Sequence, residues 1–301
     1  MQASLFQIEP PKRVGDGRND PSGKLGNTRV TGKEQFYTPP NIVGRVLDLV
    51  QGVHPNWVEA PFLEPAGGTG TFIETARARG CGELHSWDIE PLHPDVVKGD
   101  FLLQSLGFRG AVCATNPPFG RNNALSIPFF NHAAPACDVI AFIVPRSWRK
   151  WSVVNRLDRD FRLAEDHDLK INYLDANGKD VQAFDKLRTC IQVWTRYEGR
   201  RPRYSVEDRG LVRRVGPEEA DAALTIFGFS CGKVTTDFPR KKVTTQMYLK
   251  LQHPRALEAL ENVDFSQFFL NTAYTEALSI HEVNYLLNEY IFEDAGLVES
   301  L

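Results

Sequence analysis

The sequence predicts an α/β fold: a mainly parallel sheet with helices on both faces, followed by a smaller C-terminal region. Three observations predict it. Strand-like apolar runs alternate with helix-like segments between residues 38 and 194. One run, residues 138–144 (DVIAFIV), is continuously apolar after its first residue, as a strand buried on both faces must be. Every unusual motif follows a strand-like run: Gly67-Gly68-Thr69-Gly70, Asp88, Asp100 and Asn116. That is where open parallel sheets hold ligands.

Thr38-Pro39-Pro40 precedes Ile42, Val43, Val46, Leu47 and Val50, a helical spacing behind a proline start. Residues 57–64 (WVEAPFLE) read as an extended segment entering a glycine-rich turn. Residues 71–79 have helical composition closed by Gly80, and residues 83–89 read as a second strand ending in acid. A short apolar strand over 110–115 runs into Asn116-Pro117-Pro118-Phe119. Residues 124–136 read as a helix that a proline can kink. Residues 169–174 and 189–194 are further strands. Past Tyr197 the chain turns Arg-rich. The predicted organisation is a flexible arm over 1–31, a first domain over 32–197 and a second region over 198–301.

The 301 residues are 42% hydrophobic and 24% charged, enough for one large domain and a smaller one. No apolar run approaches the roughly 18 residues a bilayer requires, so no membrane partner is expected. The polar first 31 residues do not read as a secretory signal. The five cysteines, 81, 113, 137, 190 and 231, lack metal-ligand spacing. A reducing compartment without disulfides, zinc or another metal is the expectation. Net charge is −3. Cations nonetheless cluster at Arg146, Arg149, Lys150, Arg156, Arg159 and Arg162, again from Arg196 to Arg214, and at Lys233, Arg240, Lys241 and Lys242. They form either a solvated surface or a basic face that neutralises phosphates.

The turn Glu64-Pro65-Ala66-Gly67-Gly68-Thr69-Gly70 allows positive φ and close approach of a ligand to the backbone, but a tight strand-to-helix turn has the same composition. Asp88 follows about twenty residues on, where a carboxylate can accept both hydroxyls of a ribose. A helix cap is the other reading, and Glu90 competes for the role. Asp100 could accept an adenine amino group while Phe101 stacks on the ring, or the pair could be a cap beside a core aromatic. Asn116-Pro117-Pro118-Phe119 is the most specific feature. Two prolines fix the backbone and forgo two donors, leaving carbonyls aimed one way, and Asn116 adds a side-chain carbonyl. Such acceptors can hold an –NH2 group and free its lone pair for attack on an electrophilic methyl. Orientation then supplies much of the rate without a nucleophilic side chain. Phe119 offers a face to a planar substrate, and a Pro-rich turn after a strand is the plain alternative.

Phe36-Tyr37-Thr38-Pro39-Pro40, Phe62-Leu63-Glu64-Pro65-Ala66-Gly67-Gly68-Thr69-Gly70, Trp87-Asp88-Ile89-Glu90-Pro91, Gly99-Asp100-Phe101 and Asn116-Pro117-Pro118-Phe119 resemble, in order, the motif series of S-adenosylmethionine-dependent amino-methyltransferases of the Rossmann-like class I fold. The motif order resembles the gamma group of DNA N6-adenine methyltransferases, over roughly residues 36–194. The resemblance implies S-adenosyl-L-methionine as cofactor and DNA as partner, with the target base flipped out of the helix. It implies that Thr38 and Pro39 line the methionine end, that Glu64, Ala66, Gly67 and Gly70 surround the cofactor, that Asp88 and Ile89 bind its ribose region, and that Asp100 and Phe101 hold its adenine. Asn116, Pro117 and Pro118 would hold the target amino group and Phe119 would stack on the base. Phe184, in a loop before a late strand, would cover the base's other face, or is a plain core residue. Arg146, Arg149 and Lys150, after the apolar strand, are expected to contact phosphates.

Residues 198–301 are short for that group's recognition domain. Residues 233–242 could enter a groove, and Ser279 with Glu282 forms a capping-box pattern before an apolar helix. RNA adenine methylation, glutamine methylation of release factors, cytosine N4 as target, a non-catalytic nucleic-acid-binding module and a Rossmann oxidoreductase are the competing readings. The last leaves Asn116-Pro117-Pro118-Phe119 unexplained. A bacterial, phage or mobile-element enzyme of the cytoplasm, of the kind found in restriction–modification, is the expectation.

Overall fold

The computed structural model describes residues 37–174, 178–179 and 187–300. The expected N-terminal arm, Phe36 and Phe184 lie outside the described residues.

The first helix, α1 (Pro40–Val53), has proline at its first position and buries Val43, Val46, Leu47 and Val50, the face its spacing predicted. β1 (Phe62–Glu64) is shorter than the extended segment expected. Trp57–Glu59 is instead a 3-10 turn, and Trp57 is buried with its indole N–H donating to Gln51 Oε1 at 2.8 Å. Pro61 then resets the chain to extended geometry. α2 (Thr71–Ala78), β2 (Leu84–Asp88), the two-residue β3 (Val97–Lys98) and β4 (Ala111–Thr115) follow. α3 (Ser126–Ala133) holds Pro128 in its first turn and gives way at Pro135 to a 3-10 turn (Ala134–Ala136). β5 (Cys137–Pro145), α4 (Trp151–Val154), β6 (Phe161–Leu169) and β7 (Thr189–Arg196) complete this part.

These strands form one sheet ordered β3-β2-β1-β4-β5-β7-β6. Its pairings are parallel as far as β5, and β7 runs antiparallel to both β5 and β6. Successive β5 residues serve opposite faces. Val139, Ala141 and Ile143 join the core beneath α1 and α2, while Ile140, Phe142 and Val144 join the aromatic core beneath α3 with Phe130 and Trp148. That is why the run is apolar throughout. The expected mainly parallel sheet with helices on both faces is therefore present.

The expected strand over 169–174 is displaced. Leu169 ends β6, and Leu174 makes only an isolated bridge to Tyr37. β6 lies at the sheet edge with five of its nine residues charged or His, four of them consecutive from Glu165 to Asp168, so its apolar signal is broken. Charged edge strands block pairing with other chains, which makes them hard to read as strands.

Beyond β7, β8 (Arg203–Val206) pairs with the last strand, and β9 (Val212–Arg214), β10 (Ala222–Thr225), β11 (Val234–Thr235) and β12 (Gln246–Leu251) form an antiparallel sheet ordered β11-β10-β12-β9. α5 (Ala256–Asn262), α6 (Ser266–Phe269) and α7 (Ile280–Phe292) precede β13 (Leu297–Ser300). Leu224, Leu249, Val283 and Leu287 share this region's core. The capping box read from Ser279 and Glu282 is formed at α7. Part of the Arg-rich stretch is structural: Arg201, 4% exposed, donates to the carbonyls of Phe161, Val154 and Leu157. The five cysteines are buried free thiols. No described helix is long and apolar enough to cross a membrane.

Candidate functional site

The sheet order reverses between β1 and β4, the switch point at which such sheets open a crevice. A cavity of about 380 Å³ lies there, a size suited to a small-molecule ligand. Its walls come from the loops leaving β1, β2, β3 and β4.

The β1 loop turns through Gly68 at φ +45, a region that disfavours side chains, and the Gly68 amide donates to Asp88 Oδ2 at 2.8 Å. The other carboxylate oxygen accepts the Glu90 amide at 2.8 Å. Asp88 thus splints the β1 loop to the end of β2 while still lining the cavity, as Ala66, Gly67 and the 64% exposed Ile89 also do. Gly70 opens α2 in left-handed geometry but faces the His93 ring, only 2.4 Å from where a Cβ would stand, and lies outside the lining.

Glu64 stands behind that wall. It is 1% exposed, and its Oε1 accepts the Thr115 hydroxyl and the Ala66 amide. Burial pushes its carboxyl up to about 8, so it is mainly neutral at pH 7, and its second oxygen has no hydrogen-bond partner among the described residues. Thr38 lines the cavity from the start of α1, and its buried hydroxyl has no partner among the described residues. Pro39 caps α1, accepting the Val43 amide at 3.1 Å, and does not reach the cavity.

Asp100 and Phe101 both line the cavity. Asp100 also caps a 3-10 turn by accepting the Leu102 amide at 2.9 Å. Phe101 is 1% exposed, with its centroid 5.3 Å from that of Phe129 and its ring edge-on to His132, so most of its surface is spent in the core. Asn116 and Pro118 line the cavity as the chain leaves β4. Pro117 and Phe119 are buried outside the lining, so the ring expected to stack on a base does not line this space. Left-handed residues at Gly120, Asn122 and Asn123 then curl the chain back, bringing Leu125 to the cavity.

Sequence reading assigned no role to Tyr37, Leu125 or Phe129, which also line the cavity. Tyr37 adjoins the Thr38 motif, a usable signal. Phe129 sits at ordinary core spacing in α3 and offers none.

The three cations expected to meet phosphates are paired with carboxylates. Arg146 meets Asp168 at 2.7 Å, Arg149 grips Asp166 through two nitrogens and reaches Asp168 at 2.9 Å, and Lys150 meets Glu282 at 2.7 Å. They stand at the carboxyl end of β5, but as ties within the protein.

No family model matches the chain, and no curated protein matches its sequence. Similar solved structures exist. A Pyrococcus horikoshii protein described as an RNA methyltransferase is 19% identical with a TM-score of 0.43, covering 54% of this chain and 88% of its own. A Listeria monocytogenes protein described as a class I S-adenosylmethionine-dependent methyltransferase is 15% identical with a TM-score of 0.40, covering 54% of this chain and 61% of its own. TrmN from Thermus thermophilus is 14% identical with a TM-score of 0.38, covering 52% and 49%. The chain spans under two thirds of the latter two.

Proposed function

We propose that the chain is an S-adenosylmethionine-dependent methyltransferase acting on an exocyclic amino group of a nucleobase, N6 of adenine in DNA, with the base turned out of the helix. One observation carries this reading. Asn116 and Pro118 from the β4 edge share a single cavity, at the switch point, with Asp88 and Asp100 from the β2 and β3 edges.

The residues present fit the cofactor. Thr38, which lines the cavity, has a buried hydroxyl with no partner among the described residues, a group a ligand could satisfy. Asp88 keeps lone pairs beyond those used by the two amides, enough for ribose hydroxyls, and Asp100, which lines the cavity, would accept an amino group. S-adenosylmethionine supplies, when bound, a methyl group on a positively charged sulfur. Asn116 Oδ1 and the Pro117 carbonyl would accept the two N–H groups of the target. That draws the nitrogen lone pair out of ring conjugation and fixes its direction. Neither proline offers a competing donor. Catalysis of this kind rests on orientation and needs no charged base.

The test is transfer of tritiated methyl from S-adenosylmethionine to duplex DNA, single-stranded DNA, total RNA and release factor in parallel, with nucleoside analysis of the product. Label in N6-methyladenine of DNA is expected. Label in N4-methylcytosine, RNA or protein overturns the assigned acceptor, and no label in any of them overturns the assigned activity.

A further inference from the structure

The loop between β10 and β11 carries an aromatic ring that nothing among the described residues covers. Phe229 is 102% exposed and its neighbour Phe227 is 50% exposed. Phenylalanine is ordinarily buried, and here two rings separated by one residue are exposed on the same turn, which places apolar surface in water. The tip that bears it is well fixed. Cys231 donates to Gly228 O at 2.9 Å and Gly232 to Thr225 O at 2.8 Å, with both glycines left-handed. The ring projects from a closed turn instead of hanging on a loose one.

Backbone contacts place this tip at the active edge of the large sheet. Phe227 bridges Ala277, and the Gly228 amide donates to Glu276 O at 3.0 Å. Glu276 is ion-paired to Arg188, and the Arg188 amide donates to Ala273 O at 2.7 Å. Arg188 O in turn accepts the Arg146 amide at 3.0 Å, directly past the carboxyl end of β5. Thr115 pairs with Phe142 on that strand, so Asn116 leaves β4 at the same edge.

The surroundings are basic. Residues 226–245 hold Lys233, Arg240, Lys241 and Lys242 against the single acid Asp237, in a chain of net charge −3. Arg240 is committed to the carbonyls of Pro217 and Ala220. The three lysines are exposed, and their ammonium groups make no ion pair among the described residues. Thr245 O accepts the Ile226 amide at 2.8 Å, so the lysine-bearing segment returns beside the foot of the aromatic turn.

We propose that this turn is a nucleic-acid contact, in which the Phe229 ring stacks on a base next to the cavity edge while Lys233, Lys241 and Lys242 neutralise the flanking phosphates. Aromatic rings interleaved with lysines hold unstacked bases and backbone together. Apolar side chains also wedge between base steps of a duplex that must be opened. The inference rests on the nucleic-acid reading above, but its readout is binding, which does not depend on methyl transfer.

The experiment measures binding of a fluorescein-labelled oligonucleotide to the full chain by anisotropy, as a function of salt. Phe229→Ala should weaken binding roughly tenfold, within the range of one base–aromatic stack, and Phe229→Trp should restore it while Phe229→Leu does not. Lys241→Ala with Lys242→Ala should flatten the salt dependence by about two counterions. The site is exposed, so these variants fold as the parent does. Unchanged affinity in Phe229→Ala, or a parent that binds no oligonucleotide, overturns the proposal. So does loss of self-association in sedimentation with affinity intact, since the ring would then serve a second copy of the chain. Methyl transfer to DNA alongside unaltered Phe229→Ala binding rejects this contact and keeps the activity. Weakened binding with no transfer to any nucleic acid does the reverse.

Discussion

Asp88 Oδ2 and the Gly68 amide lie 2.8 Å apart, and this bond sets the height of the glycine turn beside the cavity. The carboxylate has two tasks, splinting the turn and presenting its remaining lone pairs to a ligand. Asp88→Ala removes both. The expected loss of S-adenosylmethionine affinity is about ten- to a hundredfold, corresponding to roughly 1.5–3 kcal/mol for hydrogen bonds to a charged group. Asp88→Asn retains one acceptor and should fall between. Calorimetric titration measures both, and an Asp88→Ala variant that binds as the parent does would leave Asp88 a turn residue only.

On the proposed reading Asn116 holds the acceptor and not the cofactor. Asn116→Ala should therefore lower kcat on the order of a hundredfold or more, the scale of a polar group whose bonds strengthen in the transition state. Cofactor affinity should stay unchanged. Single-turnover transfer beside calorimetry separates the two, and equal losses in both would mean that the loop had collapsed instead.

Much of this site was legible because its chemistry is local in sequence. Asp88, Asp100 and Asn116 each end a strand-like run, and a parallel sheet brings such ends together. What was not legible is set by contacts across long separations. Nothing near Lys150 announces a partner 132 residues away, so a cation beside an active edge reads as a phosphate ligand. Phe119 illustrates a second limit. Its motif position suggests a stacking ring, but Phe119 is buried outside the cavity lining, and the left-handed turn that follows at Gly120, Asn122 and Asn123 gives only a weak signal in sequence. β6 is a third case, since its charged middle hides an edge strand.

Glu64 makes the protein's stability depend on pH. Its carboxyl stands at about 8 in the folded chain and near 4.5 when exposed, so between those values the folded state holds a proton that the unfolded state has lost. Its contribution is complete below about 4.5, declines as pH rises, and is gone above about 8. The slope is at most about 1.4 kcal/mol per pH unit. Glu64→Gln imitates the protonated form and should show a flatter profile, gaining on the parent from pH 5 to pH 8. Urea denaturation across that range measures the difference, and parallel profiles would place the Glu64 titration outside this window.

Lys150 and Glu282 join the end of the large sheet to the first turn of α7 at 2.7 Å, with side-chain exposures of 20% and 3%. Glu282 spends its other oxygen on the amide and hydroxyl of Ser279, so one carboxylate both caps α7 and docks it. Removing the lysine leaves a buried carboxylate without its counter-charge, an arrangement that costs roughly 3 kcal/mol or more. Lys150→Ala should lose stability of that order. Glu282→Gln, which keeps a neutral cap, should lose less, and Lys150→Ala added to it should cost little further. If Lys150 instead served a phosphate, Lys150→Ala would flatten the salt dependence of nucleic-acid binding by about one counterion and leave stability alone. Urea denaturation and a salt titration on the same variant therefore decide between a tie within the protein and a contact with the substrate.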